Sequence, residues 1–264
     1  MGRAHRRRQG GEGDGRKEKV KKRLDIILVE RGLAQSRHRA QGLIMSGKVT
    51  VGGHPAAKAG LMVEEGVVVE VEESMPFVSR GGLKLEAALA HYGLDVAGKV
   101  VMDVGASTGG FTDCLLKRGA RRVYAVDVGY GLIDASLRGD RRVVLLERTN
   151  FRYLSRDAVP ECVDMATADV SFISLAKIFP RLIEFLCGAA EVLALVKPQF
   201  EVGRERVGRG GIVRDEDARM EAVAAARAAA EALGFVAGDP FESPVRGQKG
   251  NREYFLLLRW SGHG

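Results

Sequence analysis

The sequence predicts an α/β protein in two folded units. A small α+β module spans residues 21–75 and a larger seven-stranded α/β domain spans 83–264, with a linker at 76–82 and a disordered basic tail at 1–20. Three observations carry this expectation. Residues 1–60 hold 15 Lys and Arg against 5 Asp and Glu, whereas the remainder hold 26 against 29, so the positive charge belongs to the N-terminal part. Beyond residue 77, apolar strand-like runs alternate with helical ones, the pattern of β-α units that close into a parallel sheet covered on both faces. The first of those strands runs into a glycine-rich turn, the place where open α/β sheets bind nucleoside-bearing cofactors.

The elements follow in order. Residues 1–20 are rich in Gly, Arg and Lys and have almost nothing to bury. Arg23–Gly32 reads as a short helix with Leu24, Ile27 and Leu28 on one face and Gly32 as its stop. Ser36 suits the N-cap of a second helix, Arg37–Ser46, ended by Gly47. Lys48–Gly53 and Gly66–Glu73 read as strands, and a short joint follows at Glu73–Phe77. In the larger unit, strands are expected at Lys99–Val104, Arg122–Val128, Val143–Glu147, Val163–Asp169, Glu191–Val196, Phe235–Glu242 and Glu253–Trp260. Helices are expected at Leu83–His91, Phe111–Lys117, Leu175–Leu186 and Asp215–Leu233. No helix separates the last two strands, so they form a hairpin and the final strand is antiparallel. That order fits a Rossmann-like methyltransferase arrangement better than a nicotinamide-binding one.

Composition excludes several classes. No apolar run reaches the roughly 18 residues that a membrane-spanning helix needs, and the N-terminus lacks the apolar core of a secretory signal. Cys114, Cys162 and Cys187 lie far apart in apolar runs without C-x-x-C spacing, which reads as buried reduced thiols and not as a disulfide or zinc site. The five histidines share no spacing, so no metal site is expected. A cytoplasmic protein with a polyanionic partner held by its basic module is the expectation, nucleic acid being favoured over membrane.

The glycine-rich turn, Gly105-Ala106-Ser107-Thr108-Gly109-Gly110, departs from the G-x-G-x-x-G spacing of nicotinamide sites. Asp103 stands two residues before it. A carboxylate there repels a pyrophosphate but can pair with the amino group of a methionine moiety, so S-adenosylmethionine fits better than NAD. Asp127 ends the next strand, where an acid can accept hydrogen bonds from two ribose hydroxyls, and Asn150 ends the third, at the border of an adenine.

Two resemblances sharpen this. Arg23-Leu-Asp25, Ser36-Arg37 with Ala40 and Ile44, and Gly47-Lys-Val-Thr-Val51 resemble the S-four-type RNA-binding domain, which implies that Arg37, Arg39 and Lys48 face structured RNA. Ser79-Arg-Gly-Gly-Leu-Lys84-Leu, Gly105–Phe111, Asp169-Val-Ser-Phe-Ile173, Leu195-Val-Lys-Pro-Gln-Phe200 and Asn251-Arg-Glu253 resemble the TlyA, or hemolysin A, family, whose catalytic domain is similar to the FtsJ ribose methyltransferases. The likeness covers about residues 21–260. It implies methylation of cytidine ribose 2′-hydroxyls in ribosomal RNA or ribosomal subunits, with Lys84, Asp169, Lys197 and Glu253 as the catalytic residues and Asp169 also beside the donor.

Methyl transfer requires the attacking oxygen, methyl carbon and departing sulfur to be collinear, and a hydroxyl needs a group to orient it and take its proton. Lys197 is the candidate, either as a neutral base or as an orienting ammonium. Arg204, Arg206 and Arg209 fall in a glycine-rich stretch, 204–214, expected to be a mobile RNA-clamping loop. Two other readings compete: a membrane-active hemolysin, which requires an inserting segment, and a non-catalytic RNA-binding ribosome assembly factor, which requires a broken tetrad or cofactor turn.

Overall fold

The computed structural model describes residues 21–72 and 75–262, so the expected disordered tail, together with Glu73 and Ser74 of the joint, lies outside the described residues. The chain divides into two compact units at Ser74/Met75. Each is built around its own core.

The small unit runs β1 (Lys21–Arg23), α1 (Leu24–Glu30), α2 (Arg37–Met45), β2 (Val49–Val51), β3 (His54–Pro55), β4 (Met62–Glu64) and β5 (Val69–Val71). Ser36 caps α2 by accepting a hydrogen bond from the Arg39 amide at 3.2 Å. The helices pack Leu24, Ile27, Leu28, Ala40, Leu43 and Ile44 against Val49, Val63 and Val69. Strands β1, β3 and β4 were not anticipated. They have two or three residues each, and their partners are remote: β1 pairs antiparallel with β4, while β2 is flanked by β3 and β5.

The large unit continues with α3 (Arg80–Tyr92), β6 (Val100–Val104), α4 (Gly110–Lys117), β7 (Arg122–Val126), α5 (Ala135–Arg138), β8 (Val143–Leu146), β9 (Val163–Ala168), α6 (Phe179–Ile183), β10 (Leu186–Val196), α7 (Pro198–Glu201), α8 (Glu216–Glu231), β11 (Val236–Ala237), β12 (Phe241–Glu242) and β13 (Tyr254–Trp260). One sheet has the order β11-β13-β10-β9-β6-β7-β8, with β12 also on β13. Strands β6 to β10 are parallel, and β13 is antiparallel to β10. The sheet is buried on both faces. Met102, Phe179, Phe185, Val192 and Leu256 belong to one layer, and Leu85, Leu89, Leu115, Leu193 and Phe255 to the other.

Three expectations need correction. The helix expected over Leu175–Leu186 is a 3-10 turn at Leu175–Lys177 followed by the short α6, because Leu186 already pairs with Val163 and belongs to β10. Pro198, directly after Lys197, opens α7, where a missing N–H is tolerated. The strand expected at Phe235–Glu242 breaks into β11 and β12, each pairing separately with β13. Finally, Cys162 and Cys187 are disulfide-bonded, and only Cys114 is a buried free thiol. Spacing concealed this pair because the fold supplies the proximity: one cysteine precedes β9 and the other lies at the start of its parallel neighbour β10, with Cα atoms 5.0 Å apart.

Among the described residues, no helix is long and apolar enough to cross a membrane.

Candidate active site

The site lies at the carboxyl ends of the parallel strands, where the backbone leaves the sheet. All five residues of β6 are buried, and the chain then turns at Gly105 with φ +90°. A side chain at Gly105 would collide with the Asp169 carbonyl, so only glycine lets the two strand ends close on each other. The amides of Gly105 and Ala106 donate to the Val126 carbonyl at 2.9 and 3.2 Å, and Ser107 adopts φ +50°. Asp127 pins this turn from the next strand end. It accepts from the Ser107 amide at 2.8 Å and from the Gly129 amide at 2.6 Å.

Asp103 occupies a different position from the one its sequence suggested. It is fully buried, and its two oxygens accept from the Thr112 hydroxyl at 2.7 Å and the Thr167 hydroxyl at 3.1 Å. Burial pushes its carboxyl up to about 6 against the lowering effect of those hydroxyls. The group expected to meet an amino function therefore stands behind the turn. Asn150 is exposed and caps the 3-10 turn that follows it, its Oδ1 accepting from the Arg152 amide at 3.2 Å.

The four residues of the expected tetrad are brought together as two ion pairs lining one cavity of about 530 Å³. Lys84, on α3, donates to Glu253 at 2.6 Å, and their side chains are only 11% and 2% exposed. Lys197, just past β10, lies 2.5 Å from Asp169, just past β9, and donates to the Ser171 hydroxyl at 3.0 Å. Gly105, Ala106, Ser107, Thr108 and Gly110 line the same cavity, whereas Asp103, Gly109, Asp127 and Asn150 do not. The site thus joins the turn after β6 to the ends of β9 and β10.

Sequence reasoning missed several wall residues. Ser171 lies two residues from Asp169 and shares Lys197 with it. Phe172 is 91% exposed with φ +63°, and its ring lies 5.0 Å from that of Phe200. Arg80, Arg246 and Lys249 also line the cavity. Asn251 is buried, donating to the Gly211 carbonyl at 2.8 Å and accepting from the Val213 amide at 3.1 Å. Those two bonds, with a bridge between Gly208 and Ile212, fold the stretch that was expected to be mobile. Within it Arg204 and Arg209 are exposed, but Arg206 is held by Asp215 and Glu221.

In the small unit, Arg37 reaches the fully buried Asp25 at 3.1 Å. Arg23 and Gln41 donate to the same carboxylate, and the Arg23 hydrogen bond is the chief cause of its pKa falling well below the usual range. Arg37 is consequently part of the local structure, whereas Arg39 is exposed and Lys48 half-buried. Among the described residues, no cluster of three or more His, Cys, Asp or Glu could hold a metal ion.

Comparison with known proteins follows the same division. Residues 77–260 match the FtsJ-like methyltransferase family and residues 22–69 match the S4 domain. The chain is 48% identical over 239 residues to the Mycobacterium tuberculosis protein named 16S/23S rRNA (cytidine-2'-O)-methyltransferase TlyA, covering 90% of this chain and 89% of that one. A solved structure described as a hemolysin from Streptococcus thermophilus is 40% identical, with a TM-score of 0.70 and coverage of 92% and 90%. A solved structure described as an S-adenosylmethionine dependent methyltransferase from Listeria monocytogenes shares the fold at 14% identity, with a TM-score of 0.51 over 69% of this chain and 99% of that one.

Proposed function

The chain belongs to the FtsJ-like methyltransferase family, and from that premise we propose that it transfers a methyl group from S-adenosylmethionine to the ribose 2′-hydroxyl of a cytidine in ribosomal RNA, in the cytoplasm. The observation that carries the reading is the pair of lysine–carboxylate bridges, Lys84–Glu253 and Lys197–Asp169, lining one cavity with the Gly105–Gly110 turn. The substrate follows the name of the M. tuberculosis relative and the S4 domain match at residues 22–69.

The residues present suit the donor. Asp127 grips the turn from outside the cavity and Asp169 lines the cavity beside it, so the acids nearest the turn favour a cationic sulfonium and disfavour a pyrophosphate. Residues 105–110, Asp127 and Asp169 would hold it, with Asp103 acting from behind as a brace for the turn and Asn150 at the far edge. Bound there, S-adenosylmethionine supplies an electrophilic methyl group. The protein's own work is positioning.

Lys197 performs the central part. Its amine is fixed by Asp169 and Ser171, which leaves a remaining direction for the ribose hydroxyl. The attacking oxygen is aimed by that amine, and its proton passes to the Lys197–Asp169 pair as the new C–O bond forms. Lys84 and Glu253 form a second ion pair lining the same cavity. Arg39 and Lys48 of the small unit, with Arg204 and Arg209 of the large one, contact RNA phosphates; Arg37 contributes its partly exposed guanidinium while anchored on Asp25.

The decisive experiment is to incubate the purified protein with labelled donor and ribosomal subunits and to map 2′-O-methyl positions. Label in a cytidine ribose is the expected result. Label confined to bases, or to no RNA at all, refutes the assignment.

A further inference from the structure

The cavity has more positive charge than the tetrad requires. Five cations line it, Arg80, Lys84, Lys197, Arg246 and Lys249, against two acids, Asp169 and Glu253. Both acids already have their lysines. Arg246 and Lys249 have no acidic partner among the described residues, and the nearest polar contact of Arg246 is the Gly250 carbonyl at 3.5 Å.

Their position identifies which side of the reaction they serve. The donor turn follows β6 and Asp127 follows β7, whereas Arg246 and Lys249 come from the connection between β12 and β13. In the sheet order, β13 lies beyond β10 and β9, three strands from β6. At about 4.8 Å per strand that is roughly 14 Å. The connection that carries the two cations therefore leaves the sheet from the strand beyond those that carry Lys197 and Asp169, away from the donor turn.

Their backbone is also fixed. A side chain at Gly247 would overlap the Glu253 carboxylate, so this turn packs directly on the tetrad. The Gly247 amide donates to the Asn251 carbonyl at 2.9 Å, and the Asn251 side chain bonds the 211–213 stretch. Lys249 has φ +59°, a conformation uncommon for a lysine.

We propose that Arg246 and Lys249 form a phosphate-binding pair that grips the RNA backbone beside the nucleotide entering the cavity. The proposal rests on the RNA-methyltransferase reading above and adds an anchoring point on the cavity wall itself, which Arg204 and Arg209 do not line. Arginine supplies the forked contact to a phosphodiester and lysine a compact charge.

The test compares the intact protein with Arg246→Gln/Lys249→Gln, measuring affinity for purified ribosomal subunits at 50 and 200 mM salt. Each lost phosphate contact lowers the salt slope by about 0.7–0.9, so the ratio of the two affinities should fall roughly 7- to 12-fold in the double variant. Lys249→Gly removes one charge and relieves the positive φ, so folding is not at risk; its ratio should fall about threefold. Arg246→Lys/Lys249→Arg should keep the original ratio. Donor affinity by calorimetry should stay within about twofold throughout, and the catalytic loss should appear in KM for subunits and not in kcat. An unchanged salt ratio in the folded double variant, or a loss of donor affinity instead, overturns the proposal while leaving the methyltransferase reading intact. Failure of the intact protein to methylate any ribose overturns that reading and this proposal with it.

Discussion

The two edges of the large sheet carry similar side chains to different ends. At the carboxyl edge, Lys197 meets Asp169 at 2.5 Å with exposures of 11% and 21%, and Lys84 meets Glu253 with 11% and 2%. At the amino edge, Lys99 meets Glu191 at 2.7 Å, with 27% and 26% exposed, and the Cys162–Cys187 bond ties β9 to β10 nearby. The pairs are chemically alike. What separates them is where the strands stop: parallel strands release their carboxyl ends into loops that diverge around a cleft, whereas at the other end they are tied together. Both pairs border a cavity, of about 530 Å³ at the carboxyl edge and about 600 Å³ at the amino edge, but only the first is shared with the glycine-rich turn, so a lysine–carboxylate pair acquires function from what lines its cavity with it.

The contrast is broken most directly at Lys197. Lys197→Ala should lower single-turnover methyl transfer by roughly 10²- to 10⁴-fold, the usual worth of an orienting or proton-accepting group, while donor affinity by calorimetry changes little. Lys197→Arg should not restore it, because the fork cannot give up a proton and places its donors elsewhere. A rate near that of the intact protein in Lys197→Ala would falsify its place in the mechanism.

The second effect concerns stability. Lys84→Ala leaves the almost fully buried Glu253 carboxylate without its charge partner, a loss of about 3–5 kcal/mol by urea unfolding. Lys84→Met/Glu253→Gln removes both charges and should unfold at higher urea than Lys84→Ala, though without activity. If the single and double variants lose equal stability, the pair is not a buried ion pair in solution.

That the four candidate residues gather in one cavity was legible in the sequence only in part. Lys84, Asp169, Lys197 and Glu253 each sit in a short motif at a strand or helix boundary, and the β-α alternation placed three of them at one sheet edge. The pairing was not legible. Lys84 and Glu253 are 169 residues apart, and no local pattern says which lysine takes which acid. Asp103 was misplaced for a related reason: position before a turn identifies the strand end but not whether the side chain points toward the cleft or back to Thr112 and Thr167. Arg37 carries the same lesson in the small unit, where an apparent surface cation is bound to the buried Asp25. The disulfide and the two-residue strands were hidden because their partners are remote.

Asp103 offers a third, smaller effect with a defined pH signature. Its folded-state pKa of about 6 lies above the unfolded value of about 3.9, so between those values the folded protein binds more protons than the unfolded chain. Stability from this group is therefore fully present at low pH and is lost as pH rises from about 4 to 6, by roughly 2–3 kcal/mol. Asp103→Asn abolishes the titration. The variant should gain on the intact protein across that interval and hold a constant difference above about pH 7, read as unfolding midpoints at several pH values. A difference that does not move between pH 4 and 6 would show the carboxyl titrating normally.

The smallest effect belongs to the amino edge and is the sharpest control. Lys99 and Glu191 are each about a quarter exposed, so water screens the pair and each side chain forfeits rotamer freedom to hold it. Lys99→Ala should change stability by less than about 1 kcal/mol. It should leave methyl transfer within about twofold of the intact protein, because β9 is six residues long, or roughly 20 Å, and lies between this pair and the cleft. The result is informative either way. Near-silence in Lys99→Ala beside collapse in Lys197→Ala assigns catalysis to the position of the lysine at the cleft. A loss of activity in Lys99→Ala comparable to that of Lys197→Ala would mean that the two edges are mechanically coupled through β9 and β10, and that the amino edge is more than a structural tie.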